Sequence, residues 1–210
     1  IWNIDAKWFD PHYLESVGAI PEHIAKAKGT AGDWVGIIFA AYSFFAAIAS
    51  LFMAKIASTI GRKLTYALSL IAGGVGYLSI MFIQNPELTM VNLVITQIEV
   101  PQGAVALFLP MIGIGIAWAA ILAMPYAILA GSLPVKQTGV YMGIFNFTIA
   151  APQIVSGIFA GWILTAIFDN QAIYIIMLAG GSMILAALSV FFVKDGAEEK
   201  TASNNDEVLR

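Results

Sequence analysis

The chain has 210 residues, a net charge of −3, no cysteine, and 60% hydrophobic against 11% charged residues; its mean hydropathy is +0.84. Soluble domains average about 25% charged and about 45–50% apolar residues, so this balance excludes an ordinary soluble domain and places the chain in a membrane. The charge gives no footing for nucleic acid, and a chain without cysteine has no disulfides, Cys-type zinc sites or thiol nucleophiles.

In chain order, Ile1–Asp33 is polar and broken by Pro11, Gly18, Pro21, Gly29 and Gly32. It reads as an extracytoplasmic loop, with Trp2, Trp8 and Trp34 at headgroup level and Asp33 capping the first helix. No basic segment followed by a short apolar run opens the chain, so no signal peptide is expected. The start at Ile1 suggests a fragment of a longer protein.

A transmembrane bundle is expected over 34–193, with five spans near 34–57, 64–83, 107–131, 139–168 and 172–193. A helix needs about 20 apolar residues to cross the hydrocarbon core. Between spans two and three, Gln84–Ala106 carries Pro86, Glu87, Glu99, Pro101 and Gly103. Its apolar middle is too short to span, and it reads as a loop at the interface. The tail, 194–210, is charged, amide-rich and without aromatics, which predicts disorder.

Charge sets the orientation. Arg62, Lys63, Lys136, Lys194, Lys200 and Arg210 share one side with Lys55, whereas the other side has only Lys7, Lys26 and Lys28, all in the first loop. The positive-inside rule puts the tail in the cytoplasm and the first loop outside, in a multi-pass protein of a plasma or inner membrane. Glycines within the spans (Gly73, Gly74, Gly76, Gly113, Gly115, Gly157, Gly161, Gly180, Gly181) predict close helix packing.

Spans three and four hold no Asp, Glu, Lys, Arg or His, yet they carry groups that hydrocarbon rejects. Asn146 and Gln153 are seven residues apart on one helix face. Carboxamides suit sugar hydroxyls without adding charge. Pro125 lies deep in span three and leaves the Ile121 carbonyl without its helical partner, which favours a wet cavity. Trp118 shares a face with Pro125 and offers an aromatic platform for a sugar ring. Tyr126 and, on span one, Tyr42 and Ser43 are weaker candidates. The alternative for the carboxamides is packing glue, worth about 0.6 kcal/mol per bond in a membrane protein.

No enzyme signature and no cofactor-binding motif appears. His12 and His23 stand in the first loop without spaced metal partners. No carboxylate lies within the five spans as read here, so a proton relay, which usually needs one, is expected outside this stretch.

Ala54-Lys55-Ile56-Ala57-Ser58-Thr59-Ile60-Gly61-Arg62-Lys63 resembles the cytoplasmic turn of the major facilitator superfamily, Gly-x-x-x-Asp-x-x-Gly-Arg-Arg/Lys. It matches at Gly61, Arg62 and Lys63 and departs at Ala54 and Ser58. Gly115 through Ala127, with its Pro-Tyr-Ala, and Gly139 through Gln153 resemble the corresponding spans of the sucrose and α-glucoside branch, beside the glycoside–pentoside–hexuronide symporters. The resemblance covers most of Asp33–Lys194. It implies an all-α membrane protein, with five helices (spans eight to twelve) from a twelve-helix carrier whose N-terminal half is missing here. It implies a disaccharide or related glycoside as solute, a coupling proton and the lipid bilayer as partners, and alternating access as mechanism. Carriers of pentosides, hexuronides or drugs are the near alternative, and a non-transporting membrane scaffold or sensor the distant one.

Overall fold

The computed structural model of the chain describes residues 21–83, 88–92, 97–133 and 138–193. The expected disorder of 194–210, the first 20 residues of the expected loop, and Lys136 lie outside the described residues. Six α-helices are present among them: α1 (Pro21–Ile60), α2 (Arg62–Ser79), α3 (Gln102–Ala106), α4 (Phe108–Ser132), α5 (Thr138–Ala166) and α6 (Ala172–Val190). Five helical stretches are long and apolar enough to cross a membrane: Gly32–Ile60, Arg62–Phe82, Gly103–Ser132, Thr138–Ala166 and Ala172–Val190. These are the five expected spans, and the chain is an integral, multi-pass membrane protein with an all-helical membrane portion.

Two local readings need correction. Helix α1 starts at Pro21, so Asp33 sits inside it and does not cap it. Proline fits a first helical turn, where its missing N–H has no partner to lose. Gly29 and Gly32 each cost about 1 kcal/mol relative to Ala, which weakens a helix without ending it. Asp33 therefore falls on the second residue of the first span, as an exposed carboxylate at its edge. The second correction is in the connection between spans two and three. It contains an antiparallel hairpin, β1 (Leu88–Asn92) with β2 (Gln97–Pro101), in register from Leu88 opposite Pro101 to Asn92 opposite Gln97. Two five-residue stretches of a segment too short for a membrane helix close their backbone bonds as a ladder instead.

Helix α2 is the hub, packing against α4 and α6, while α1 packs on α4. Small residues make that possible. A Cβ on Gly113 would lie 2.4 Å from the Ala72 carbonyl oxygen, and one on Gly115 would lie 2.7 Å from the Tyr42 oxygen. The helices meet backbone to backbone at these points, which lets dispersion act where lipid supplies no hydrophobic drive. Gly73, Gly74, Gly76 and Gly180 are similarly crowded, whereas Gly157, Gly161 and Gly181 face open space. The glycine reading therefore holds for α2, α4 and one residue of α6. Three small cores result: Ala41 with Ile80, Leu107, Met111 and Ile114; Ala46 with Met53, Ala119, Ala120 and Met124; and Ala67 with Leu70, Ala187 and Val190.

Helix α5 stands apart. None of its 29 residues is buried. Its turn into α6 places Asp169 and Asn170 in the left-handed region, at φ 47° and 60°. Asp and Asn tolerate that region better than most side chains. The Asn170 N–H closes on the Leu164 carbonyl at 2.9 Å.

Candidate functional site

Helices α4 and α5 follow each other in the chain, across residues 134–137. Tyr126 and Asn146 are each ten residues from Lys136 (136 − 126 and 146 − 136). The Tyr126 hydroxyl donates to Asn146 Oδ1 at 2.5 Å. The Tyr126 ring also meets Phe145 edge-on, with centroids 5.2 Å apart and planes at 81°. Two of the expected site residues are thus joined directly. Their bond uses one lone pair of the carboxamide; Asn146 Nδ2 has no partner among the described residues, and the side chain is exposed.

Gln153 lies seven residues further from the turn, about 10 Å along α5. It is exposed, and its amide has no partner among the described residues. Trp118 lies eight residues beyond Tyr126 on α4, about 12 Å along that helix. It is 46% exposed, and its ring is set by Tyr42 of α1, edge-on at 6.2 Å between centroids. Tyr42 in turn meets Phe39 at 5.4 Å. The structure thus pairs Tyr126 with Asn146 and Trp118 with Tyr42, and it leaves Gln153 open. It does not bring Trp118 into contact with the carboxamides. Ser43 turns back on its own helix, donating to the Phe39 carbonyl at 2.8 Å.

Pro125 sits one residue before Tyr126, half-buried, and α4 runs through it without interruption. A second proline, Pro152, stands inside α5 beside Gln153. Both polar faces therefore lie next to a position where the helix lacks one backbone donor, and the carbonyl four residues earlier is left to seek another partner. Pro152 is as legible in the sequence as Pro125, by the same rule for an interior proline.

The basic turn does more than mark a side of the membrane. Gly61 has φ 89°, a conformation open chiefly to glycine, and it separates α1 from α2. The Thr65 N–H and hydroxyl both donate to its carbonyl, at 3.1 and 2.7 Å. Arg62 and Lys63 then start α2, at the helix end where a cation is least welcome. They reach instead to carbonyls of neighbouring helices. Arg62 Nη1 donates to the Ala127 carbonyl of α4 at 3.0 Å. Lys63 Nζ donates to the Phe191 carbonyl at the end of α6 at 3.4 Å. The Phe191 carbonyl, just past the end of α6, is short of donors and suits a cation; the Ala127 carbonyl lies within the last two turns of α4 and takes the guanidinium as an added donor. Gly61, Arg62 and Lys63, expected as a gating turn, thus tie three helices of this bundle together at one end.

Among the described residues no group of His, Cys, Asp or Glu is placed to hold a metal ion. The site residues on α4 and α5 are uncharged, and they offer hydrogen bonds and aromatic faces to a neutral solute.

A family model described as the Major Facilitator Superfamily matches residues 16–209. No curated protein and no solved structure matches the chain significantly.

Proposed function

The chain belongs to the Major Facilitator Superfamily, and from that premise we propose that it forms the C-terminal part of a carrier for a disaccharide or related glycoside, driven by a proton. Members of this family are transporters rather than enzymes, and the membrane-spanning helices fit that class. The solute and the coupling are our reading. It rests on one observation: the neutral polar groups on α4 and α5, where among the described residues the Asn146 amide donors and the Gln153 carboxamide have no partner. An unpaired carboxamide in hydrocarbon is costly, whereas facing a hydrated path it stands ready for a polyol. Trp118, fixed edge-on by Tyr42, would supply the flat face against which a pyranose ring packs.

The carboxamides of Asn146 and Gln153 and the indole of Trp118 have no proton to exchange near neutral pH. The proton would therefore be handled elsewhere in the carrier, with this part supplying solute contacts and alternating access arising from rocking of two halves. On this reading the tail is cytoplasmic and the first loop is outside. The test is uptake of radiolabelled sucrose or maltose into vesicles carrying the whole carrier, with and without an imposed proton gradient. Gradient-driven accumulation supports the reading. Accumulation of a charged or apolar solute, with no sugar uptake, rejects it.

A second reading has its own observation. The Tyr126–Asn146 bond is what packing glue between two helices looks like. A membrane scaffold that has lost transport would keep such a bond and leave Gln153 without a role. No uptake of sucrose or maltose by the whole protein, with stability lowered by Asn146→Ala but not by Gln153→Ala, would favour it.

A further inference from the structure

The two carboxamides on α5 are not equivalent. Gln153 has no partner among the described residues, so it can turn either its oxygen or its nitrogen outward. Asn146 cannot, because the Tyr126 hydroxyl of α4 holds one end of it. Their separation of 2.5 Å lies within the O–H···O range, about 2.5–3.0 Å, and below the roughly 2.7 Å at which N–H···O bonds begin. The hydroxyl therefore faces the carboxamide oxygen and not the nitrogen. A phenol also donates more readily than it accepts, because its oxygen shares electron density with the ring.

The ring that delivers this hydroxyl is itself held. Phe145, the residue before Asn146, meets it edge-on with centroids 5.2 Å apart and planes at 81°, an arrangement that aromatic pairs favour. The position of the hydroxyl thus has a support besides its own bond. A carboxamide is planar, with its oxygen and its nitrogen on separate arms. With the oxygen arm turned to Tyr126, the other arm points away and carries two N–H donors that have no partner among the described residues. We propose that Tyr126 is a positioning residue that sets the polarity of Asn146, so that this point of the site recognises a solute hydroxyl through its oxygen lone pairs and not through its hydrogen. The inference rests on the reading of Asn146 as a solute contact and adds which atom of the solute it reads. Gln153, seven residues along the same helix, imposes no such polarity.

The first half of the test needs no solute. In a Raman spectrum the intensity ratio of the tyrosine Fermi doublet depends on whether the hydroxyl donates or accepts. The difference between the whole carrier in nanodiscs and its Tyr126→Phe variant isolates one of the seven tyrosines of this chain. That variant keeps the ring and removes only the hydroxyl. The doublet should report a strong donor, and Asn146→Ala should abolish the signature. A hydroxyl that acts as acceptor, or a doublet untouched by Asn146→Ala, would overturn the proposal whatever the protein moves. The second half is competition against uptake of radiolabelled maltose, by analogues in which one hydroxyl at a time becomes hydrogen or methoxy. Methoxy keeps the oxygen lone pairs and loses the proton. At one sugar position the hydrogen analogue should compete roughly threefold to tenfold more weakly, the value of one neutral hydrogen bond, while the methoxy analogue competes nearly as well as maltose. In Tyr126→Phe the carboxamide is free to turn, and the gap between the two analogues should shrink to within about twofold. A merely structural role for Tyr126 would weaken every analogue alike and leave that gap in place. A gap unchanged in Tyr126→Phe, or analogues that lose equally at every position, would overturn the proposal while sugar uptake itself stands.

Discussion

A single methyl group should have opposite effects at two glycines of this chain. At Gly113, a Cβ would sit 2.4 Å from the Ala72 carbonyl oxygen and 3.1 Å from the carbonyl carbon. Ordinary contact begins near 3.4 Å, so α2 and α4 must separate by 1.0 Å (3.4 − 2.4) at that point. Backbone cannot rotate aside as a flexible side chain can, and the shift would be felt at Gly76, whose Cβ position is 2.8 Å from the Pro110 oxygen on the same pair of helices. Overpacking costs about 1–3 kcal/mol, and the better helix propensity of Ala returns up to about 1 kcal/mol. A clash with fixed backbone falls in the upper part of that range, about 2–3 kcal/mol, so Gly113→Ala should destabilise by about 1–2 kcal/mol net. At Gly157 a Cβ meets nothing within 4 Å, so only the propensity gain remains and Gly157→Ala should stabilise by up to about 1 kcal/mol. Reversible unfolding of the whole chain in mixed micelles, followed by tryptophan fluorescence against mole fraction of dodecyl sulfate, measures both. If Gly113→Ala proved neutral, the backbone contact between α2 and α4 would not exist. If Gly157→Ala destabilised as much as Gly113→Ala, α5 would be packed where the structure leaves it open.

Three further outcomes are expected. In the whole carrier, Asn146→Ala should weaken apparent sugar affinity roughly threefold to tenfold, the value of one neutral hydrogen bond, and leave the pH profile of uptake in place; a lost pH profile with intact affinity would reverse the assignment of roles. Arg62→Gln should lower stability by about 1 kcal/mol, below the usual range for a charged donor because the group is half-exposed, while Lys63→Gln, whose bond is longer at 3.4 Å, should change it by less than half as much; denaturation of the two variants side by side decides. Single cysteines at Lys26 and Lys136 should react with an impermeant maleimide in intact cells and only after permeabilisation, respectively, and the opposite pattern would invert the topology.

The spans were legible because hydropathy and length are integrated over some 20 residues, so local exceptions do not matter. The start of α1 was not, since Gly29, Gly32 and Pro21 were read as breaks when each is tolerable in a helix that has somewhere to go. The hairpin of β1 and β2 is hidden for a related reason: a segment too short to span reads as a loop, although paired strands also satisfy its backbone. At the site, Tyr126 and Asn146 were chosen separately for their chemistry. Their equal distance from Lys136 was in the sequence and would have paired them. The contact of Trp118 with Tyr42 was not accessible that way, because it depends on how closely α1 approaches α4 at Gly115, a tertiary fact. The reach of Arg62 and Lys63 to Ala127 and Phe191 was hidden behind a simpler explanation of the same charges, the positive-inside rule.

The contrast between α5 and the rest bears on how such a protein can change over generations. A helix in hydrocarbon closes its own backbone bonds and needs no neighbour to stay helical. A replacement on α5 opens no void and pushes aside no backbone, because none of its residues is buried. On α2 and α4 a single added carbon at Gly73, Gly76 or Gly113 collides with something fixed nearby. New solute preferences would thus accumulate on α5, at positions such as Gln153, while the glycine-locked frame is inherited almost unaltered. Relatives that move different cargo would then diverge most along one helix and least along the two that hold the bundle closed.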